Sequence, residues 1–205
     1  MQSLSRLALA AALSVATVSA QAALEARPGG MVYDTTLNIT WLQNWNINGR
    51  MNWTTANNWA NNLVYGGFDD WRLPTSLNAD GTGPCGDIGN LNCSGSEMGH
   101  MFYNNWGATA GNAFSTGSNA ANLALFTNVQ SLDYWSGTEY APNPGDAWVF
   151  SSSDGYQGFD SKFSALYAVA VRPGDVAAAV PEPQTLALVL LALGATVVAR
   201  RRRPV

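Results

Sequence analysis

Few residues in this 205-residue chain are equipped for chemistry, and most of them fall in two short stretches. Two cysteines, Cys85 and Cys93, lie in Gly83-Pro84-Cys85-Gly86-Asp87-Ile88-Gly89-Asn90-Leu91-Asn92-Cys93. An even count in a chain bound for an oxidising compartment points to a disulfide. Closing so short a loop contributes about 2.5 kcal/mol in the chain-entropy picture. A zinc site would want more cysteine or histidine ligands, and a catalytic thiol would want a base beside it. The one histidine, His100, has no serine–histidine–acid or metal-ligand spacing around it. Asp80 and Asp87 are candidate calcium ligands through carboxylate and neighbouring carbonyl oxygens, although EF-hand spacing is missing. The second stretch, Asp69-Asp70-Trp71-Arg72-Leu73-Pro74, packs carboxylates, a ring and a cation together. Its structural reading is an Arg72 held by a carboxylate, with Trp71 and Leu73 anchoring a core. Its functional reading makes Asp69 or Asp70 an acid or a ligand. Structure is favoured, because buried charges are normally paired whether or not they catalyse.

The ends of the chain have different physics. Pro181-Glu182-Pro183 cannot continue a helix. An apolar run from Thr185 to Ala199 follows, then Arg200-Arg201-Arg202-Arg203, a cluster that stays on the cytoplasmic face. The run is shorter than the roughly 20 residues of a comfortable span. These three parts, in this order, resemble the PEP-CTERM sorting signal of Gram-negative, exopolysaccharide-producing bacteria. The resemblance implies processing by an exosortase-type enzyme and a transient stay in the inner membrane. At the other end, Arg6, the apolar Leu7 to Val18 and Ala20-Gln21-Ala22 have the form of a signal peptide. Cleavage is placed after Ala22, with Ala20 and Ala23 as competitors. The organisation expected is a signal peptide at 1–22, one domain at 23–176, a linker at 177–180 and the sorting signal at 181–205.

Between the signals the chain is long enough for a single core. Thirteen acidic residues against five basic ones leave that segment near −8, with no electrostatic footprint for nucleic acid. It holds all eight tryptophans, which predicts stabilisation by large aromatic burials. Met31–Asp34 and Ile39–Leu42 read as strands around a turn. A helix is expected from Thr54 or Thr55, with a hydroxyl cap and an end at Gly66-Gly67. A second is expected over 94–107, with Ser94 and Glu97 as a capping box and Met98, Met101, Phe102 and Trp106 as its apolar stripe. His100 lies off that stripe. Ala108 to Ala121 reads as a loop. Tyr134-Trp135-Ser136, Ala147–Phe150 and Tyr167–Arg172 read as strands, with a turn at Asp154-Gly155. The sum is an α+β domain.

Gly67 to Thr75 resembles the "GxxDWRLPT" signature of the Legionella collagen-like protein C-terminal domain family. Ser94–Asn104, Tyr134-Trp135-Ser136-Gly137-Thr138, Ala147–Phe150 and Ala168–Pro173 resemble its companion segments. One departure is visible: the Glu-Leu usual shortly after the signature is replaced by a Gly-rich, cysteine-containing loop, Ser76–Asn92. The resemblance implies a fold similar to C-type lectins and formylglycine-generating enzymes, a curled antiparallel sheet with two flanking helices and long loops. It implies a non-catalytic, exported surface or matrix protein that binds glycan or another envelope component, linked to exopolysaccharide or biofilm. Loops Ser76–Asn92 and Ala108–Ala121 would form the binding surface. The alternatives are an enzyme related to sulfatase-modifying oxidases and a purely structural matrix protein.

Overall fold

Strand-forming residues broken by tight turns set up the first half of the domain. The computed structural model describes residues 24–86 and 88–176. Strands β1 (Leu24–Arg27) and β2 (Met31–Asp34) join at Gly29-Gly30, both at positive φ, where a side chain would be strained. From β2 to β3 (Ile39–Leu42) the turn is set by Asp34, whose Oδ1 accepts the N–H groups of Thr36 and Leu37 at 2.9 and 3.0 Å. The closing strand of the domain, β7 (Val171–Pro173), pairs with β3, giving the antiparallel order β1-β2-β3-β7. A second antiparallel ladder has the order β4-β5-β6, from Asp133–Glu139, Asp146–Ser151 and Gln157–Ser161. A parallel bridge joins Tyr134 of β4 to Tyr167, four residues before β7. The α+β class with long loops is as expected, its antiparallel strands divided four and three.

The helices differ from expectation at their ends. Helix α1 spans Trp53–Asn61, and its cap is Asn52, whose side chain accepts the Thr55 N–H. A side-chain amide one turn earlier wins over either threonine hydroxyl. The helix stops at Asn61, well before Gly66-Gly67, which turn the chain so that Tyr65 and Phe68 bond each other. Helix α2 (Glu97–Gly99) is capped by Ser96 rather than Ser94, and it continues as a π-helical turn over His100–Asn105. The expected stripe is buried all the same: Met98, Met101, Phe102 and Trp106 belong to the core. The 108–121 stretch is not wholly loop. It holds a 3-10 turn at Phe114–Thr116 and the start of α3 (Ala120–Leu123), capped by Asn119.

The core gathers around Trp45, 2 % exposed. Its ring lies 5.4 Å from Trp41, 5.0 Å from Trp106, 5.7 Å from Phe126 and 5.3 Å from Tyr134. Such an aromatic hub fixes distant segments with few residues, as the composition predicts. The expected signal peptide at 1–22, the expected linker at 177–180, the tail at 181–205 and Asp87 lie outside the described residues.

Candidate functional site

The segment 68–75 is where the fold and its surface chemistry meet. Trp71 and Leu73 are buried, with the Trp71 indole N–H donating to Tyr65 O at 3.2 Å. Arg72, between them in sequence, points the other way. Its backbone bonds Val171 in both directions at 2.8 Å, extending the four-stranded ladder by one bridge. Its guanidinium grips Glu97 through two hydrogen bonds, of 2.8 and 2.6 Å. Glu97 also accepts the Thr75 N–H at 2.8 Å, and Arg72 donates to Leu73 O at 3.0 Å. These bonds to Glu97 hold the Arg72 guanidinium above its ordinary range.

The carboxylate that holds Arg72 is therefore Glu97, 25 residues away, and not its neighbour Asp70. Asp70 pairs with Arg172 at 2.7 and 3.0 Å, and that arginine also lies over the Phe68 ring at 4.0 Å. The Arg172 hydrogen bonds keep the Asp70 carboxyl below the usual carboxylate range. Asp69 is exposed. Glu97-Met98 follows the Ser76–Asn92 loop, its acid binding Arg72 and its apolar neighbour entering the core.

Two adjoining pockets open on either side of Arg72 and Thr75. The first, of about 400 Å³, is lined by Asn57, Asn61, Thr75 and Thr138, with Leu73 and Gly137 between them. Asn57 and Asn61 are four residues apart on α1 and so share a face. Gly137 donates its N–H to Pro74 O at 2.8 Å, which holds β4 against the 68–75 segment. Thr75 and Thr138 hydroxyls meet at 3.1 Å, and Ser76 N–H donates to Thr138 Oγ1. The second pocket, of about 320 Å³, has apolar lining from Leu37, Ile39, Leu77 and Pro173 and polar lining from Asn78 and Glu97. The charges facing these pockets, Arg72 and Glu97, are spent on each other.

The remaining sequence candidates lie elsewhere. Cys85 and Cys93 form a disulfide. Asp80 folds its carboxylate onto its own loop, accepting from the Thr82 N–H and hydroxyl at 3.0 and 2.6 Å. Asp87 falls outside the described residues. His100 is half-buried on the helix rather than displayed, its Nε2 4.0 Å from the fully buried Asp34. Among the described residues no group of three His, Cys, Asp or Glu side chains could hold a metal ion. Loop Ser76–Asn92 contributes Leu77, Asn78 and neighbouring Ala79 to the second pocket, whereas the 108–121 stretch lines neither. Asn57 and Asn61 were invisible as site residues in the sequence, where only their helical spacing marked them.

No helix among the described residues is long and apolar enough to cross a membrane, and the Thr185–Ala199 run lies outside them. No curated protein and no solved structure matches the chain. The PEP-CTERM protein-sorting motif matches residues 179–203, which marks an exported protein sorted by an exosortase-type enzyme and anchored transiently through its C-terminus. The Lcl C-terminal domain model matches residues 30–172, well over half the chain and the whole span from β2 to the end of β7 but one residue, and the chain therefore belongs to the Lcl C-terminal domain family.

Proposed function

We propose that this domain is a non-catalytic, glycan-binding module of an exported surface or matrix protein, and that its ligand is a neutral polysaccharide held in the pocket between α1 and the 72–75 segment. The observation that carries the reading is the pocket's chemistry. Amide and hydroxyl groups from Asn57, Asn61, Thr75 and Thr138 surround a small apolar patch, while Arg72 is already neutralised by Glu97. Sugar hydroxyls pair with such groups in both donor and acceptor senses. An anionic chain would need a free cation there, and it would face a domain whose net charge is strongly negative. The export and sorting of the chain support this reading, which extends to a role in exopolysaccharide or biofilm.

Retention of the purified protein on immobilised neutral and anionic polysaccharides, with and without calcium, tests this. Retention on a neutral polymer is expected, weakened about tenfold or more by Asn57→Ala with Thr138→Val, which leaves several orienting hydrogen bonds unmade. Loss of retention on every polymer in both conditions overturns the reading. The oxidase alternative needs reactive thiols, and the disulfide speaks against it. Titration of the folded protein should find no free thiol; two would bring the enzyme back.

A further inference from the structure

The last described residues do not leave the domain freely. After β7, Gly174 donates its N–H to Asn38 O at 2.8 Å and its carbonyl accepts from the Thr40 hydroxyl at 2.7 Å. The chain thus bends onto the face of the four-stranded sheet that carries Glu25, Arg27, Tyr33 and Thr40, residues aligned by the ladder register. There Asp175 receives two hydrogen bonds from Arg27 of β1, at 2.7 and 2.9 Å, across 148 residues of sequence. Arg27 also donates to Glu25 at 2.6 Å and lies over the Tyr33 ring at 5.2 Å. Arg172 donates to Asp175 O at 3.3 Å, and Val176 is 5 % exposed, part of the core. A surface ion pair alone is worth little. This one is bidentate, and a buried valine and the two bonds of the Gly174 backbone flank it.

We propose that Arg27 and Asp175 clamp the root of the sorting tail onto β1, and that the closed clamp slows processing by holding the Pro-Glu-Pro triplet close against the folded domain. Four residues, 177–180, separate Val176 from Pro181. Even fully extended, the five steps between those two residues reach about 18 Å. A domain of about 150 residues has a radius of gyration of about 15 Å, so an enzyme at the membrane face must reach the triplet under the bulk of the domain. Opening the clamp back to Pro173 gives eight steps, about 29 Å. Arg27 and Asp175 are positioning residues in this scheme; they touch neither the triplet nor the enzyme's chemistry. The clamp also makes processing sensitive to the edge strand β1, the first element of the domain to emerge after the leader.

The test uses the full-length chain in a Gram-negative host that carries an exosortase, with tail removal followed by pulse-chase and mass spectrometry. Hydrogen exchange of the peptide covering 171–176 reports on the clamp, and thermal unfolding confirms that each variant folds. Arg27→Ala and Asp175→Asn should each raise exchange in that peptide by about tenfold and speed tail removal several-fold. The double variant should go no further than either single one, since both remove one interaction. A six-residue Gly/Ser insertion between Val176 and Pro181 lengthens the tether with the clamp intact. It should speed removal while leaving exchange unchanged. Unchanged exchange in the two single variants overturns the clamp. Raised exchange with an unaltered or slower rate of removal, or an insertion that does not speed it, overturns its control of processing.

Discussion

The aromatic hub around Trp45 and the ionic segment from Phe68 to Thr75 solve one problem, joining distant parts of the chain, with opposite physics. The hub works by burial. The indole N–H groups of Trp41, Trp45 and Trp106 have no hydrogen-bond acceptor among the described residues, so these rings are placed by shape and ring contact, Trp41 stacked on Trp45, and Trp45 and Trp106 meeting Tyr134 and Phe126 edge-on. The ionic segment works by direction. Arg72 and Asp70 reach 25 and 102 residues along the chain for single, bidentate partners, Glu97 and Arg172. A burial hub accepts any ring of suitable volume, whereas a directed pair accepts one geometry. This contrast explains why the sequence announces its core by composition and its surface site by an exact motif.

Removing the hub is the hardest test of the contrast. Trp45→Ala should cost about 4 kcal/mol in chemical unfolding. Trp45→Phe should cost much less, since no hydrogen bond is lost. Trp135→Phe should cost more than Trp45→Phe, because the Trp135 indole donates to Met51 O at 2.8 Å. Equal costs for the two phenylalanine variants would erase the distinction between shape-placed and bond-placed rings.

Reduction of Cys85–Cys93 should lower stability by about 2.5 kcal/mol by the loop-entropy relation, read as a shift in the denaturant midpoint. Arg72→Ala should come next, at about 2 kcal/mol, below the figure for a fully buried pair because the guanidinium is half-exposed. Arg72→Lys should recover little of this, as lysine cannot grip both Glu97 oxygens. Full recovery by lysine would show that charge, and not direction, holds the segment.

The smallest effects are in pH. Asp70 and Asp175 have carboxyl values lowered from 3.8 by hydrogen bonds from Arg172 and Arg27. Their contribution is complete above that ordinary value and drains away as pH falls through the depressed folded values. Asp133 has the opposite sign. Burial raises its value, so ionising it destabilises the fold as pH climbs from 3.8 through the raised value. Asp133→Asn should therefore flatten the upper limb of the stability–pH curve, and Asp70→Asn the acid limb. Thermal unfolding from pH 2.5 to 7 separates the two.

Much of this was legible in the sequence, and the failures have causes. The β2–β3 pair, the strands around Trp135 and Val149 and the Asp154-Gly155 turn follow from local propensity and turn chemistry, and the disulfide from an even cysteine count. Strand β6 was hidden because Gln157-Gly158-Phe159-Asp160-Ser161 has weak strand propensity and owes its state to pairing with β5. Strand β1 was hidden beside the apolar N-terminal stretch read as a leader. The second helix was placed correctly but begun two residues early. Both Ser94 and Ser96 can cap, and only the tertiary setting selects Ser96. Arg72 was read as carboxylate-bound, yet its partner could not be chosen between near and distant acids, since nothing local distinguishes them.

The excursion that replaces the expected Glu-Leu leaves and returns at one point. Asn78 and Ser96 bridge at its stem, and the side chain of Asn78 and the carbonyl of Cys93 occupy the places that side chains at Gly95 and Gly99 would need. The Cys85–Cys93 staple closes the far part, while Arg72 and Glu97 lock the base. Past the staple's first cysteine the segment joins the second ladder, Asn90 and Gln157 of β6 exchanging backbone bonds of 2.8 and 2.9 Å. Freedom to vary is thereby confined to the exposed tip at 79–83, which can be lengthened or exchanged for a foreign peptide while the bridge and the stem hold, a natural display point on an exported protein.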